Sequence, residues 1–271
     1  MFEPVIKWSG SKRSQASSIV ALAPRFKTYF EPFLGGGSVL YAINPKKAVC
    51  GDICKPLIEL WLLIRDNPAQ LISNYRENWR RLQEEGYRTY YEIRDEFNRD
   101  QNPACFFFLS RTCVNGLIRF NKDGHFNNSL HHTRKGINPD RAERIIRDWS
   151  RHIQKVEFVH ADYRESTRNA TARDFVYLDP PYFNTRGRYY GKIDFPEFTD
   201  YLNELKTRGV KYAISLDGKR GDLEYFVDLP PSLYRRHLFL PSGNSSFKKV
   251  IEKKNQAVIE SLFLSWDDSL F

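Results

Sequence analysis

The tetrapeptide Asp179-Pro180-Pro181-Tyr182 follows the apolar run Phe175-Val176-Tyr177-Leu178 and brings together residue types that could do chemistry. Each proline fixes φ and removes an N–H, so a strand that leaves through two prolines ends in a stiff loop. Such a loop presents one carboxylate (Asp179), one backbone carbonyl (Pro180) and one aromatic face (Tyr182) to the same small volume. Two acceptors and a ring suit a flat amino-aromatic group, because the acceptors take its two N–H bonds and the ring stacks on its plane. The exocyclic amine of a nucleobase has that form. On these four residues alone, a proline-rich turn closing a buried strand remains the competing account.

A second constellation lies upstream. Gly35-Gly36-Gly37 joins a strand predicted over residues 28–33 to a helix beginning near Val39, a turn at which backbone can approach a ligand closely. It is a poor dinucleotide fingerprint, since counting from Gly35 and Gly37 the third glycine falls on Leu40. No Gly-Lys-Ser/Thr follows, which excludes a P-loop. Asp52 ends the next predicted strand, Ala48–Asp52, where an acid can accept hydrogen bonds from both ribose hydroxyls of an adenosine-containing cofactor. Glycine turn, strand-end acid and Asp179-Pro180-Pro181-Tyr182 together favour S-adenosylmethionine over a dinucleotide. Cys50, Cys54, Cys105 and Cys113 form no CxxC pair and have no matching histidine spacing, so no metal site is expected.

These residues need a scaffold that gathers strand ends. After Asp52 a helix places Leu57, Leu60, Trp61 and Ile64 on one face, and Asn67-Pro68 marks its boundary. Residues 69–97 then predict one long charged helix, with Leu71, Tyr75, Trp79 and Leu82 at helical spacing. Residues 111–154 hold nine lysines and arginines against four acids, together with His125, His131, His132 and His152. Strands resume at 156–160, 175–178 and 210–216, the last after an intervening helix. The alternation predicts a mainly parallel α/β sheet interrupted by a basic, mostly non-strand lobe.

Composition sets the outer bounds. With 271 residues, 41% of them hydrophobic and 15% aromatic, the chain can bury a substantial core and is not disordered. A formal charge of +9 favours polyanionic partners. The opening Met1-Phe2-Glu3-Pro4 lacks the features of a signal peptide. The most apolar window, 57–64, is interrupted by Glu59 and is too short to span a bilayer. A soluble, cytoplasmic protein without membrane attachment is expected.

Taken in order, five segments resemble those of the Dam-like, α-group (D12 class) DNA N6-adenine methyltransferases, over nearly the whole chain. Lys7-Trp8-Ser9-Gly10-Ser11-Lys12 resembles the family's opening KWxGGK element. Glu31-Pro32-Phe33-Leu34-Gly35-Gly36-Gly37-Ser38 resembles its cofactor loop, and Gly51-Asp52-Ile53 its strand-end acid. Asn115-Gly116-Leu117-Ile118-Arg119-Phe120-Asn121, followed by Gly124-His125-Phe126-Asn127, resembles the stretch before the catalytic half. Asp179 to Tyr182 is the DPPY motif itself. Two segments depart from the pattern. Ser11 stands where the family has glycine, and Asn127-Asn128-Ser129-Leu130-His131-His132 replaces an FNVPFG-like sequence, which bears on the target site more than on the reaction.

The resemblance implies a Rossmann-like S-adenosylmethionine-dependent methyltransferase sheet formed by residues 1–66 and 155–271, with residues 67–154 as an inserted, mainly helical DNA-recognition lobe. It implies that Trp8, Lys12, Asp52 and Asp179 contact the cofactor, with Phe33, Gly35 and Gly37 beside it and Asp162 accepting from its adenine amine. Lys12 is a cation suited to the methionine carboxylate. Asp179 and the Pro180 carbonyl would polarise N6 of a flipped adenine while Tyr182 stacks on it. Double-stranded DNA is the implied partner, held by Arg119, Asn121, Lys122, Asn127 and Asn128 in the lobe. Arg186 and Arg188 would contact DNA from a flap after the DPPY motif that includes Tyr189 and Tyr190. Ser242-Gly243-Asn244-Ser245-Ser246 with Lys248 and Lys249 would add a phosphate contact. The enzyme would act alone or beside a restriction endonuclease. Methylation of cytosine N4 or of adenine in RNA, and a catalytically silent nucleic-acid-binding relative, are the alternatives.

Overall fold

In a computed structural model of the chain, which describes residues 2–181, 193–220, 223–224, 227–244 and 257–267, asparagine followed by proline starts three helices. The side chains of Asn67, Asn102 and Asn138 accept from the backbone N–H groups of Gln70, Ala104 and Asp140. Pro68, Pro103 and Pro139 occupy the first helical position, where no N–H is needed. In chain order the elements are α1 (Ala16–Ala21), β1 (Tyr29–Glu31), α2 (Ser38–Ile43), β2 (Ala48–Asp52), α3 (Lys55–Asp66), α4 (Pro68–Glu85), α5 (Tyr87–Asp100), α6 (Pro103–Thr112), α7 (Pro139–His152), β3 (Val156–His160), α8 (Tyr163–Ser166), β4 (Phe175–Leu178), α9 (Phe195–Thr207), β5 (Lys211–Arg220), β6 (Leu223–Glu224), β7 (Arg236–Asn244) and β8 (Ala257–Leu264). No helix among the described residues is long and apolar enough to cross a membrane.

The chain divides into two compact units. One comprises Met1–Ser11, Gly35–Gly37 and Asp52–His160, and the other Lys12–Leu34, Ser38–Gly51 and Ala161–Phe271. In the first, α3 packs on α6 and α7, and α4 on α5, α6 and α7. The single helix predicted over 69–97 is two helices. Gly86, at φ 69° and ψ −137°, ends α4 and precedes α5, a backbone conformation that side-chain-bearing residues rarely adopt. The apolar spacing runs on across this break, which is why periodicity alone did not reveal it. Beyond α6 a short antiparallel hairpin pairs Phe120 with Phe126, and a second bridge pairs Cys113 with Leu130. Rings of Phe97, Phe106, Phe120 and Phe126 cluster beneath the hairpin at centroid separations of 5.3–6.3 Å.

In the second unit the strand order is β2-β1-β4-β5-β8-β7, with β6 on β5. The pairs β1–β2, β1–β4 and β4–β5 are parallel, whereas β8 runs antiparallel to both β5 and β7. The expected mainly parallel sheet is therefore parallel on one side and antiparallel on the other. The four residues of β4 are all buried, as their unbroken apolar run requires. Phe198, Tyr201, Leu202 and Leu205 of α9 cover one face, with Val176, Leu178, Ile214 and Leu216 beneath. Because β1 has β2 on one side and β4 on the other, the chain reverses its winding direction there. Ligands of open α/β sheets bind outside the carboxyl ends of the strands at such a switch point. Those ends carry Glu31 and Asp179.

Glu31 is buried and accepts a 2.8 Å hydrogen bond from the Tyr29 hydroxyl. Burial pushes its carboxyl up to about 8, with the Asp179 charge adding to the rise. A carboxyl raised on folding binds more protons in the folded state, so it lowers stability as pH climbs from the unfolded value toward about 8. Glu31→Gln should flatten part of that decline, which thermal melts across this pH window will register. A variant with the wild-type slope would place the ionised carboxylate in the native protein.

Candidate active site

The side chains singled out in the sequence as cofactor-binding or catalytic fall into two sets, one in each unit. In the first unit Trp8 lies against the glycine run. A Cβ built on Gly35, at φ +49°, would fall 2.6 Å from Trp8 Cδ1, and one on Gly36 would fall 3.1 Å from Trp8 Cβ. At Gly37, φ +64°, it would meet Trp61 at 3.1 Å and Trp149 at 3.3 Å. The indole N–H of Trp61 donates to the Gly35 carbonyl at 3.1 Å. The glycines are thus required by the packing of three tryptophans as well as by any ligand.

Asp52 fixes the other side of this turn. Its Oδ2 accepts from Gly35 N–H at 3.1 Å and its Oδ1 from Cys54 N–H at 2.9 Å. Burial pushes the carboxyl up to about 6, against the pull of those two N–H groups. Each oxygen keeps a further lone pair. A carboxylate with spare acceptor capacity beside a glycine turn fits the ribose hydroxyls of an adenosine-containing cofactor. Ser11 has no positive φ; Gly10, at φ 79°, takes the left-handed position in the opening element. The serine is therefore accommodated without backbone strain.

The residues before Trp8 are tied down. Arg111, buried at the end of α6, donates to the carbonyls of Pro4 and Val5. Its guanidinium is lowered to about 10 by burial. Trp149 N–H donates to the Glu3 carbonyl at 2.8 Å, and the Phe2 ring meets the Trp149 ring edge-on at 5.8 Å.

In the second unit Lys12 is 4% exposed, and its Nζ lies 2.7 Å from Asp179 Oδ1 and 3.4 Å from Glu260 Oε2. Its segment is stitched to β7: Ser14 Oγ donates to the Ser242 carbonyl at 3.2 Å and Gln15 Nε2 to the Leu240 carbonyl at 3.3 Å. Burial pushes Asp179 up to about 6, Lys12 pulls it back, and the charges of Glu260 and Asp217 raise it. Tyr177, on the same strand, is buried and shares a 2.7 Å hydrogen bond with Ser215. Phe33 stacks on Tyr163 at 5.6 Å, and Tyr163 adjoins Asp162. Asp162 caps α8 by accepting from Glu165 N–H at 2.9 Å.

The sequence did not single out Glu31, Asp217 or Glu260. Their signal was present in Glu260 and Asp217, acids that directly follow or precede apolar residues of β8 and β5, where a buried charge requires a partner. Tyr182, Arg186, Arg188, Tyr189 and Tyr190 lie outside the described residues, as do Ser245, Ser246, Lys248 and Lys249.

In the hairpin Arg119 is exposed, and its Nε donates to Asn127 Oδ1 at 2.8 Å. Asn121 Oδ1 accepts from the N–H groups of Asp123 and His125, and Asn128 Nδ2 donates to the carbonyls of Val114 and Leu117. Both asparagines thus shape the loop. Lys122 is exposed at its tip.

A profile of the D12 class N6 adenine-specific DNA methyltransferases matches residues 8–240. The chain is 30% identical to the Type II methyltransferase M.MjaIII of Methanocaldococcus jannaschii, across 93% of this chain and 92% of that one. It is 31% identical to the Retron Ec67 DNA adenine methylase of Escherichia coli, across 69% and 66% of the two chains. Against the DNA adenine methylase of Escherichia coli K12 it is 30% identical, across 65% and 64%. The chain belongs to the D12 class of N6 adenine-specific DNA methyltransferases. It is a site-specific, adenine-specific DNA methyltransferase.

Gly35→Ala combines a positive φ with a side-chain clash, and should cost roughly 2–4 kcal/mol or displace Trp8. Gly86→Ala has a similar φ but nothing within 4 Å of its Cβ, so it isolates the backbone contribution. Thermal melts of both, with calorimetric titration of S-adenosylmethionine, will show the larger loss and the weakened binding at Gly35. Equal losses would mean that Trp8 yields freely.

Proposed function

We propose that the enzyme transfers a methyl group from S-adenosylmethionine to N6 of an adenine turned out of a DNA duplex, with Asp179 and the Pro180 carbonyl orienting the reacting amine. The observation that carries this reading is the half-buried Asp179 carboxylate at the end of β4, at the switch point of the sheet and beside Lys12. Trp8, Gly35, Gly37 and Asp52 are assigned to the cofactor's nucleoside, and Phe33 and Asp162 to its adenine. When bound, the cofactor supplies an electrophilic methyl on a sulfonium.

The chain's own task is to make a poor nucleophile competent. The lone pair of an adenine N6 is delocalised into the ring. Two acceptors on its N–H bonds return electron density to nitrogen and fix its direction, so positioning and electrostatics carry the catalysis. Asp179 does this only as a carboxylate. Tyr182 is assigned to stacking on the base from the sequence alone. Extruding the base costs a few kcal/mol, offset by contacts along the duplex.

The lobe of residues 67–154 is assigned to DNA. Arg119 and Lys122 are exposed donors on its hairpin. Asn127 is the partner Arg119 would exchange for a base edge or a phosphate, and Asn121 and Asn128 hold the loop that presents it. The Type II designation of the relative from Methanocaldococcus jannaschii favours a cognate restriction endonuclease acting at the same site. A cytoplasmic location follows from the DNA substrate.

The test is transfer of labelled methyl to unmethylated genomic DNA, followed by sequencing that maps modified bases, with Asp179→Ala in parallel. Signal at adenine within one short motif, lost in the variant, is the expected result. Transfer to cytosine or to RNA, or normal turnover by Asp179→Ala, would overturn the reading. Because Asp179 titrates near 6, kcat should rise with pH through about 6 and level off above it. Protonation of Asp52 should instead raise the KM for the cofactor over the same range. Arg119→Ala should weaken DNA recognition with cofactor affinity intact; loss of fold in that variant would make Arg119 structural.

A further inference from the structure

Asp179 is faced by charged and titratable groups from every strand around it: Lys12, Glu31 from β1, Tyr177 from β4, Asp217 from β5 and Glu260 from β8. Glu260 stands apart among them. Its Oε1 accepts from Ser242 Oγ at 3.1 Å, whereas its Oε2 is buried and accepts no hydrogen bond among the described residues. That oxygen points at Lys12 Nζ from 3.4 Å, just beyond the length of a direct ammonium–carboxylate bond. Natural proteins rarely leave a buried carboxylate oxygen without a donor.

The backbone around Glu260 is irregular on both sides. Between Leu216 and Lys219 β5 carries one residue more than β8, placing Asp217 and Gly218 opposite Glu260. Between Pro241 and Gly243 β7 also carries one more, and the extra residue is Ser242, the donor to Glu260. A Cβ on Gly218 would fall 2.4 Å from the Ile259 carbonyl, so the first irregularity depends on glycine. Bulges concentrate beside active sites, where they re-aim side chains.

We propose that Glu260 is a positioning residue that receives Lys12 from Asp179 as the target amine docks. The inference rests on the reading that Asp179 holds that amine. At rest Lys12 holds Asp179 Oδ1 and competes with the amine for the lone pairs of that carboxylate. A shift of Nζ by about one ångström, away from Oδ1 and to the Glu260 side, makes a direct bond to Oε2 and carries Nζ beyond hydrogen-bond distance of Oδ1. One ion pair is exchanged for another within the same pocket, with no proton transferred and no charge brought out of water.

The experiment compares kcat, KM and the pH profile of the full chain with those of Glu260→Gln and Glu260→Asp, with thermal melts as a control on folding. In Glu260→Gln, Lys12 stays on Asp179. We expect kcat to fall about tenfold with the cofactor KM unchanged. Its acid limb should move down by about one pH unit, since Asp179 loses a like charge and keeps its cation. Glu260→Asp retains the charge but withdraws the carboxylate by one methylene, so kcat should fall while the acid limb stays in place. Wild-type kcat in either variant overturns the proposal, as does a Glu260→Gln profile that is scaled down without shifting. If Glu260→Gln does not fold, Glu260→Asp decides. Turnover by Asp179→Ala would sink the assignment of the amine to Asp179, a failure distinct from that of the exchange.

Discussion

Lys12 is a buried ammonium group among carboxylates, and much of the second unit is arranged around it. Glu31, Asp179, Asp217 and Glu260 come from four strands and are all largely removed from water. Acids gathered in this way repel one another. The Lys12 ammonium, 2.7 Å from Asp179, breaks the symmetry. Burial pushes Glu31 up to about 8, whereas Asp179, also raised by burial, is pulled back by Lys12 to about 6. The hydrogen bonds from Ser14 and Gln15 to the carbonyls of β7 matter because they hold the segment that delivers the lysine.

The first unit solves a different problem, the placement of an aromatic side chain without a covalent anchor. Trp8 follows a short stretch with no regular secondary structure. It is fixed because Arg111 donates to two carbonyls upstream of it and because the glycine turn leaves room for its ring. A buried guanidinium bonded to backbone carbonyls is costly, as its lowered pKa reflects. Its position accounts for that expense: it orders the entry of the chain into the unit.

How much of this was legible in the sequence depended on how local the determinant was. Strands β2, β3 and β4 fall on the predicted residues because each is a short apolar run with a clear terminator. Asn67-Pro68 was recognised as a boundary, and the same chemistry starts α6 and α7 at Asn102-Pro103 and Asn138-Pro139, where it went unremarked. Gly86 was missed because helical periodicity continues across it. The antiparallel strands β7 and β8 were missed because polar residues interrupt their apolar pattern. One of those polar residues, Glu260, lies beside Lys12. The motifs gave Lys12, Asp52 and Asp179 by position, but the pairing of Lys12 with Asp179 joins residues 167 apart and could be seen only in three dimensions.

The two bulges that flank β8 set stability against chemistry. Removing one residue at Gly218 or at Ser242 would restore regular pairing to a ladder that now steps around an unpaired residue. It would also reverse the facing of every residue beyond it along that strand. The sheet would become more regular and the acidic pocket would be dismantled. Directed evolution toward heat resistance should therefore run into a wall here: deletions that tidy these strands would be favoured by a stability screen and eliminated by an activity screen.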